Sequence, residues 1–269
     1  MIIAQISDSH ITANGEMAAS RVENLAACVK HINASRRQPN IIVHSGDLTH
    51  DDLDEEYQTA LDIMGALKAP LYFIPGNRDD SEHMRRLYSG RFPLTENSEH
   101  FCYTIKNHAV HLIALDTTSN KTGLGQFCEA RAEFMQSALS ECGDKPALIF
   151  MHHPPYEVPS SFLPREFDNW QEVELLEKIL TNHPGKIRVI SGHVHRNSFG
   201  NIGEIATSSM PSIALDLRRK NDPLVVPDEI MYHIHEFGPD GHCATRLVRV
   251  PLEDETADIM NPVPGGMAV

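Results

Sequence analysis

Ile2-Ile3-Ala4-Gln5-Ile6-Ser7-Asp8-Ser9-His10 is an apolar run that ends by delivering an aspartate and a histidine two positions apart. The run has the length of one β-strand, and alternation beyond it points Asp8 and His10 to the same side. The pattern recurs four times. Residues 41–43 lead to Ser45-Gly46-Asp47, and residues 71–74 to Pro75-Gly76-Asn77. Residues 147–151 lead to His152-His153-Pro154-Pro155, and residues 187–190 to Ser191-Gly192-His193-Val194-His195. In an α/β protein, positions just beyond the carboxyl ends of parallel strands gather in one crevice, so distant segments build a single site. Asp8, His10, Asp47, Asn77, His152, His193 and His195 thereby offer carboxylate oxygen, amide oxygen and imidazole nitrogen. That donor set suits two Mn, Fe or Zn ions better than a soft thiolate site would.

Between the blocks, apolar strands alternate with amphipathic helices, the signature of β-α-β units. Ser20 and Glu23 have capping-box spacing, and Val22, Leu25, Ala26, Val29 and Ile32 fall on one helical face. A second helix is expected over 54–67 with Tyr57, Leu61 and Met64 inward. A third follows Ser81, with Asp79 and Asp80 as candidate caps. Residues 102–105 and 110–115 read as an antiparallel pair, and helices are expected over 129–140 and 171–180. After His195 the texture turns strand-rich, with strands over 202–207, 230–235 and 243–250 and a turn at Gly238-Pro239-Asp240-Gly241. Residues 251–269 read as loose, and Arg218-Arg219-Lys220 as a solvated loop.

With 23 basic against 37 acidic residues and a net charge of −14, the chain is a poor match for long DNA or RNA. Five cysteines without Cys-x-x-Cys pairing read as free thiols of a reducing compartment. No apolar run is long enough to span a bilayer. These features together make a cytoplasmic protein the expectation.

The five blocks, in this order, resemble the calcineurin-like metallophosphoesterase superfamily, whose pattern is Asp-x-His, Gly-Asp, Gly-Asn-His, His and Gly-His-x-His. The likeness spans residues 1 to about 200. With Asp-Asp after the Asn block and His-His-Pro-Pro, it is nearest in flavour to the bacterial class III cyclic-nucleotide phosphodiesterases and related glycerophosphodiesterases. It implies a four-layer αββα sandwich of α/β class. Residues 1–200 would form the metallophosphoesterase core, and 201–269 would complete it with strands and carry oligomer contacts. It further implies that Asp8, His10 and His195 hold one metal ion, that Asn77, His152 and His193 hold the other, and that Asp47 bridges them. The activity implied is hydrolysis of small phosphodiesters such as 3′,5′-cyclic AMP by a metal-activated hydroxide. Glycerophosphodiester hydrolysis or broad specificity is the alternative, and a non-catalytic scaffold on the same fold is the remote one. A small diester substrate and a homo-oligomer are the expected partners, with no membrane.

One block departs from the family: Gly76-Asn77-Arg78 has arginine where the pattern has histidine. In the family that histidine faces the phosphate and is not a metal ligand. Asp47, Asn77, Arg78 and His153 are therefore the catalytic candidates, and Asn77, Arg78 and His193 those for substrate binding. Arg78 either contacts phosphate or turns away to pair with Asp79, Asp80 or Glu82. His153 either lines the pocket or supports its loop from behind.

Overall fold

Strand β1 (Ile2–Ile6) pairs in parallel with β2 (Ile41–His44), and β2 with β3 (Leu71–Phe73); α1 (Ala18–Ala34) and α2 (Asp54–Met64) are the crossovers. The computed structural model describes residues 1–95, 98–119, 122–158, 166–218 and 229–251. After the short α3 (Ser81–Leu87) the chain builds a second sheet. It enters through an antiparallel pair, β4 (Tyr103–Ile105) and β5 (His111–Leu115). Then come α4 (Glu129–Cys142), β6 (Ala147–Met151), α5 (Trp170–Thr181) and β7 (Ile187–Ser191), followed by the hairpin β8 (Ser198–Ile202) and β9 (Ile205–Ser209). Two last strands, β10 (Met231–Phe237) and β11 (Cys243–Arg249), return to the first sheet, β10 antiparallel to β1. The sheet orders are β11-β10-β1-β2-β3 and β4-β5-β6-β7-β9-β8.

Residue alternation explains the layering. On β5, β6 and β7, Leu112, Ala114, Leu148, Phe150 and Ile190 pack into a core shared with the first sheet. Their neighbours Ile113, Leu115, Ile149, Met151 and Val189 pack on Met135 and Leu139 of α4 and Leu176 and Leu180 of α5. Successive side chains on a strand face opposite sides, so each strand of this sheet feeds two cores. Leu25, Val29 and Ile32 of α1 and Tyr57, Ala60 and Met64 of α2 cover the first sheet. The result is an α/β sandwich of four layers. No helix among the described residues is long and apolar enough to cross a membrane.

Several local expectations need correcting. Helix α1 starts at Ala18 with Met17 as its cap residue; Ser20 is inside it and donates its hydroxyl to the Met17 carbonyl, so Ser20 and Glu23 form no capping box. Helix α2 ends at Met64, three residues early. Residues 202–207 are not one strand, because the chain reverses at Gly203 (φ 57°) between β8 and β9. Asp80 caps α3 by accepting from the His83 amide at 2.7 Å, whereas Asp79 points elsewhere. Arg218 is buried and donates to the carbonyls of Ser212 and Glu229, so it is no solvated residue. Residues 219–220 and the tail 252–269 lie outside the described residues.

Candidate metal centre

Each of the seven candidate ligands follows the carboxyl end of a strand: Asp8 and His10 follow β1, Asp47 follows β2, Asn77 follows β3, His152 follows β6, and His193 and His195 follow β7. The sandwich brings them together. His10 Nε2 lies 3.3 Å from Asp47 Oδ2 and 3.3 Å from His195 Nε2, and His195 Nε2 lies 3.2 Å from Asp8 Oδ1. On the other side, His152 Nε2 lies 3.1 Å from Asn77 Oδ1 and 3.5 Å from Asp47 Oδ2. His193 Nδ1 is 2.9 Å from the same amide oxygen. Asp47 Oδ2 thus faces both groups.

These spacings fit two ions. Donors that each sit about 2.0–2.2 Å from one ion lie roughly 3–3.5 Å from each other. The donors are also aimed. His152 donates from Nδ1 to the Ser45 carbonyl (2.9 Å) and His195 from Nδ1 to the Leu217 carbonyl (3.2 Å), so in the neutral ring each Nε2 turns its lone pair to the cluster. Asp47 Oδ1 accepts from the Arg78 amide at 2.8 Å, turning Oδ2 to the site. The Asp8 carboxylate accepts from the His193 amide at 3.1 Å, tying β1 to β7.

The backbone carries strain here. Asp8, His10, Asp47, His193 and His195 all have positive φ, from 44° to 68°, and Asp52 is the only other non-glycine so placed among the described residues. A left-handed conformation costs about 1–3 kcal/mol per residue and persists where the surroundings over-determine it. The glycines permit the close approach: a Cβ on Gly192 would run into Ser7 Oγ and Asp8 Oδ2, and one on Gly46 into the His152 ring.

Electrostatics explain how the donors share charge. Burial opposes charge on Asp8 and Asp47, yet the neighbouring His195, His152 and His10 hold both carboxyls below the usual range. Burial also opposes a proton on His152, but the Asp47 and Asp8 carboxylates and the Ser45 carbonyl outweigh it and push this imidazole up to about 9. His195 is raised in the same way by Asp8. His10, where burial dominates, falls to about 3. Below about pH 9 the metal-free cluster therefore holds protons where an ion needs lone pairs. Metal loading at pH 7 should release about one to two protons, and apparent affinity should rise with pH up to about 9. Titrating Mn into chelator-stripped protein in weak buffer with a pH indicator measures this; loading without proton release contradicts it.

Three neighbours of the donors have roles that the sequence does not announce: Asp79, expected as a cap or a partner of Arg78, and His50 and Arg21, expected nowhere near the site. Asp79, 7% exposed, accepts from the amides of Leu48, Thr49 and Gly76 and the hydroxyls of Thr49 and Tyr57, all at 2.9–3.2 Å. It clamps the Asp47 loop to the Asn77 loop. His50 Nδ1 lies 3.4 Å from His10 Nδ1, behind that candidate ligand. Arg21 donates to the His10 carbonyl at 3.0 Å and pairs with Asp216 at 2.7 Å. The spacing Gly-Asn-x-Asp was the available signal for Asp79; nothing local marks the other two.

The remaining candidates fall as follows. His153 is fully buried, its ring 4.4 Å from that of His193 and its Nδ1 2.9 Å from Thr117 Oγ1. Its ring nitrogens stand with those of His152 and His193, one ligand atom of each lying within 4.8 Å of the others. Arg78 is exposed and, among the described residues, forms no ion pair with Asp79, Asp80 or Glu82. It lines an open cavity with Asn77, Asp52, Thr118, Thr122 and Gly123.

Residues 1–197 match the calcineurin-like phosphoesterase family, and the chain belongs to it. Members of this family use a binuclear metal centre and hydrolyse phosphate esters. The chain is 30% identical over 243 residues, 87% of its own length and 88% of the other's, to the "Probable glycerophosphodiester phosphodiesterase GpdQ" of Arcobacter nitrofigilis. It is 23% identical over 254 residues, 93% of its length and 92% of the other's, to a 3′,5′-cyclic-nucleotide phosphodiesterase of Nostoc. Among solved structures, purple acid phosphatase from yellow lupin shares the fold with a TM-score of 0.62 at 12% identity; the match covers 93% of this chain and 51% of that one.

Proposed function

We propose that this chain is a binuclear metal-dependent phosphodiesterase acting on small diesters such as 3′,5′-cyclic AMP, with glycerophosphodiesters as the alternative substrates. The observation that carries the reading is Asp47 Oδ2, 3.3 Å from one donor cluster and 3.5 Å from the other, beside a cavity that Arg78 lines without an ion pair to a carboxylate among the described residues. The names of the relatives support a diester, and the net charge of −14 speaks against a long polyanion. When bound, two ions would lower the pKa of a water and neutralise phosphoryl oxygens. The metals are Mn, Fe or Zn on the chemistry of the donors.

The chain's own contribution starts with position. Asn77, in contact with His193, lines the cavity; Arg78 next to it presents a planar fork of donors suited to two phosphate oxygens. Thr118 and Thr122 line the same cavity as hydroxyl partners for a ribose or glycerol. Arginine holds charge but does not give up a proton at neutral pH, so it binds phosphate without acting as a general acid. His153, whose ring packs 4.4 Å from that of His193, is the neighbouring imidazole that either supports His193 or lines the pocket.

Arg78→Ala should raise KM and lower kcat/KM about 10–100-fold for an unactivated diester, the size expected for a lost charge-assisted contact. Rates across leaving groups of rising pKa should fall steeply in the wild type, because Arg78 supplies no proton. An unchanged kcat/KM in Arg78→Ala for every diester removes it from the substrate site. A panel of cyclic nucleotides and glycerophosphodiesters, run with Mn-loaded protein, tests the substrate directly. The highest kcat/KM is expected for 3′,5′-cyclic AMP; a tenfold preference for glycerophosphodiesters selects the alternative.

A further inference from the structure

At the opposite pole of the sandwich from the metal ligands, a second cavity opens at the amino end of β7. Its chemical lining is Lys186, Arg188, His183, His242, Cys243 and Glu204. The strand separating it from His193 is five residues long, or about 16 Å. Arg188 is the residue that needs explaining. It is 6% exposed, and its side chain points inward with that of Ile190, between the two sheets. One hydrogen bond is visible, from Nη2 to Ser208 Oγ at 2.8 Å, while Nε has no partner.

No group near it supplies a balancing charge. Among the described residues no carboxylate pairs with Arg188, and Glu204, which shares the cavity, forms no ion pair with it. Burial pushes the Cys243 thiol up to about 11 and raises the Tyr156 phenol, so both are neutral at physiological pH. His233 and His235 stand close enough to feel the guanidinium, and burial with that charge pushes both below their usual range; they too are neutral. An unpaired buried cation is strongly unfavourable, and an apolar side chain of similar length would serve a purely structural role better. The position makes sense if the counter-charge comes from outside, through the cavity that Lys186 flanks.

We propose that this cavity is a second binding site, distinct from the metal centre, for a tetrahedral oxyanion of the phosphate class held by Arg188 and Lys186. A guanidinium fork with a free Nε matches two oxygens of such an ion, and the ammonium of Lys186 supplies the second positive charge at the mouth. Free phosphate and the phosphate group of a monoester share this chemistry.

The test is thermal melting of the metal-loaded full chain against inorganic phosphate, with chloride at matched ionic strength as control. Phosphate at the metal centre contributes equally to wild type and variants, so the difference between them reports the second site. Wild type should gain about 3–5 °C more than Arg188→Met at ten times the site's Kd. In chloride alone Arg188→Met should melt no lower than wild type, because it removes an unpaired buried charge. Lys186→Ala, at an exposed position, should keep the wild-type melting temperature in chloride and weaken the phosphate effect several-fold. Glycerol 2-phosphate in place of phosphate separates the sources: an equal gain shows that the site accepts a monoester, and a gain with phosphate alone shows that it takes the free ion. Identical phosphate gains in wild type, Arg188→Met and Lys186→Ala overturn the proposal, as does an Arg188→Met variant that melts lower in chloride and keeps its full phosphate gain.

Discussion

Asp47→Asn should leave purification without a stable pair of metal ions and with diester hydrolysis reduced about 10³-fold or more, roughly 4 kcal/mol of lost barrier reduction. The reason is geometric. Asp47 Oδ2 is the one oxygen facing both donor groups, 3.3 Å from His10 Nε2 and 3.5 Å from His152 Nε2. An asparagine keeps the Oδ1 acceptor for the Arg78 amide, so the loop should hold its shape. What disappears is the negative charge shared between the ions. His193→Ala should act differently, weakening chiefly the ion on the Asn77 side, because His193 contacts Asn77 and not His10. Metal content by elemental analysis after dialysis distinguishes the two. Two ions retained in Asp47→Asn would show that Asp47 is not the bridge.

Asp79→Ala has the largest expected effect on stability, about 3–5 kcal/mol, or roughly 6–20 °C in Tm. The substitution removes one carboxylate and leaves the buried amides of Leu48, Thr49 and Gly76 without their acceptor. Two hydroxyls, Thr49 and Tyr57, lose an acceptor as well. Because the clamp joins the Asp47 loop to the Asn77 loop, metal affinity should fall together with Tm. Asp80→Ala is the control: it removes one helix cap, worth about 1 kcal/mol, and should leave metal binding intact. Equal, small Tm losses in the two variants would contradict the clamp.

The parts of this protein that could be read from sequence are those where one local pattern serves both folding and chemistry. An apolar run ending in Asp8 and His10 marks a strand and its candidate ligands together, and the fold gathers five such ends in one place. What stayed hidden depends on tertiary contacts. Asp79 and Asp80 look alike before Ser81, and only the nearness of the Leu48 and Thr49 amides decides that the first clamps while the second caps. Ser20 and Glu23 have the spacing of a cap, but Ala18 and Ala19 are good helix formers and the helix simply starts earlier. Five left-handed backbones at Asp8, His10, Asp47, His193 and His195 leave no mark, since glycine is the residue that signals this conformation in a sequence and none of the five is one. Arg188 sits between Ile187 and Val189, and its inward direction follows from the sheet's register rather than from its polarity.

Whether these donors form a two-metal phosphodiesterase site is decided by steady-state turnover of bis(p-nitrophenyl) phosphate and p-nitrophenyl phosphate with protein carrying a measured metal load. Diester hydrolysis should reach its maximum at two ions per chain, with the monoester turned over more slowly. Full occupancy by two ions without turnover of the diester, or maximal diester turnover at one ion per chain, would contradict it.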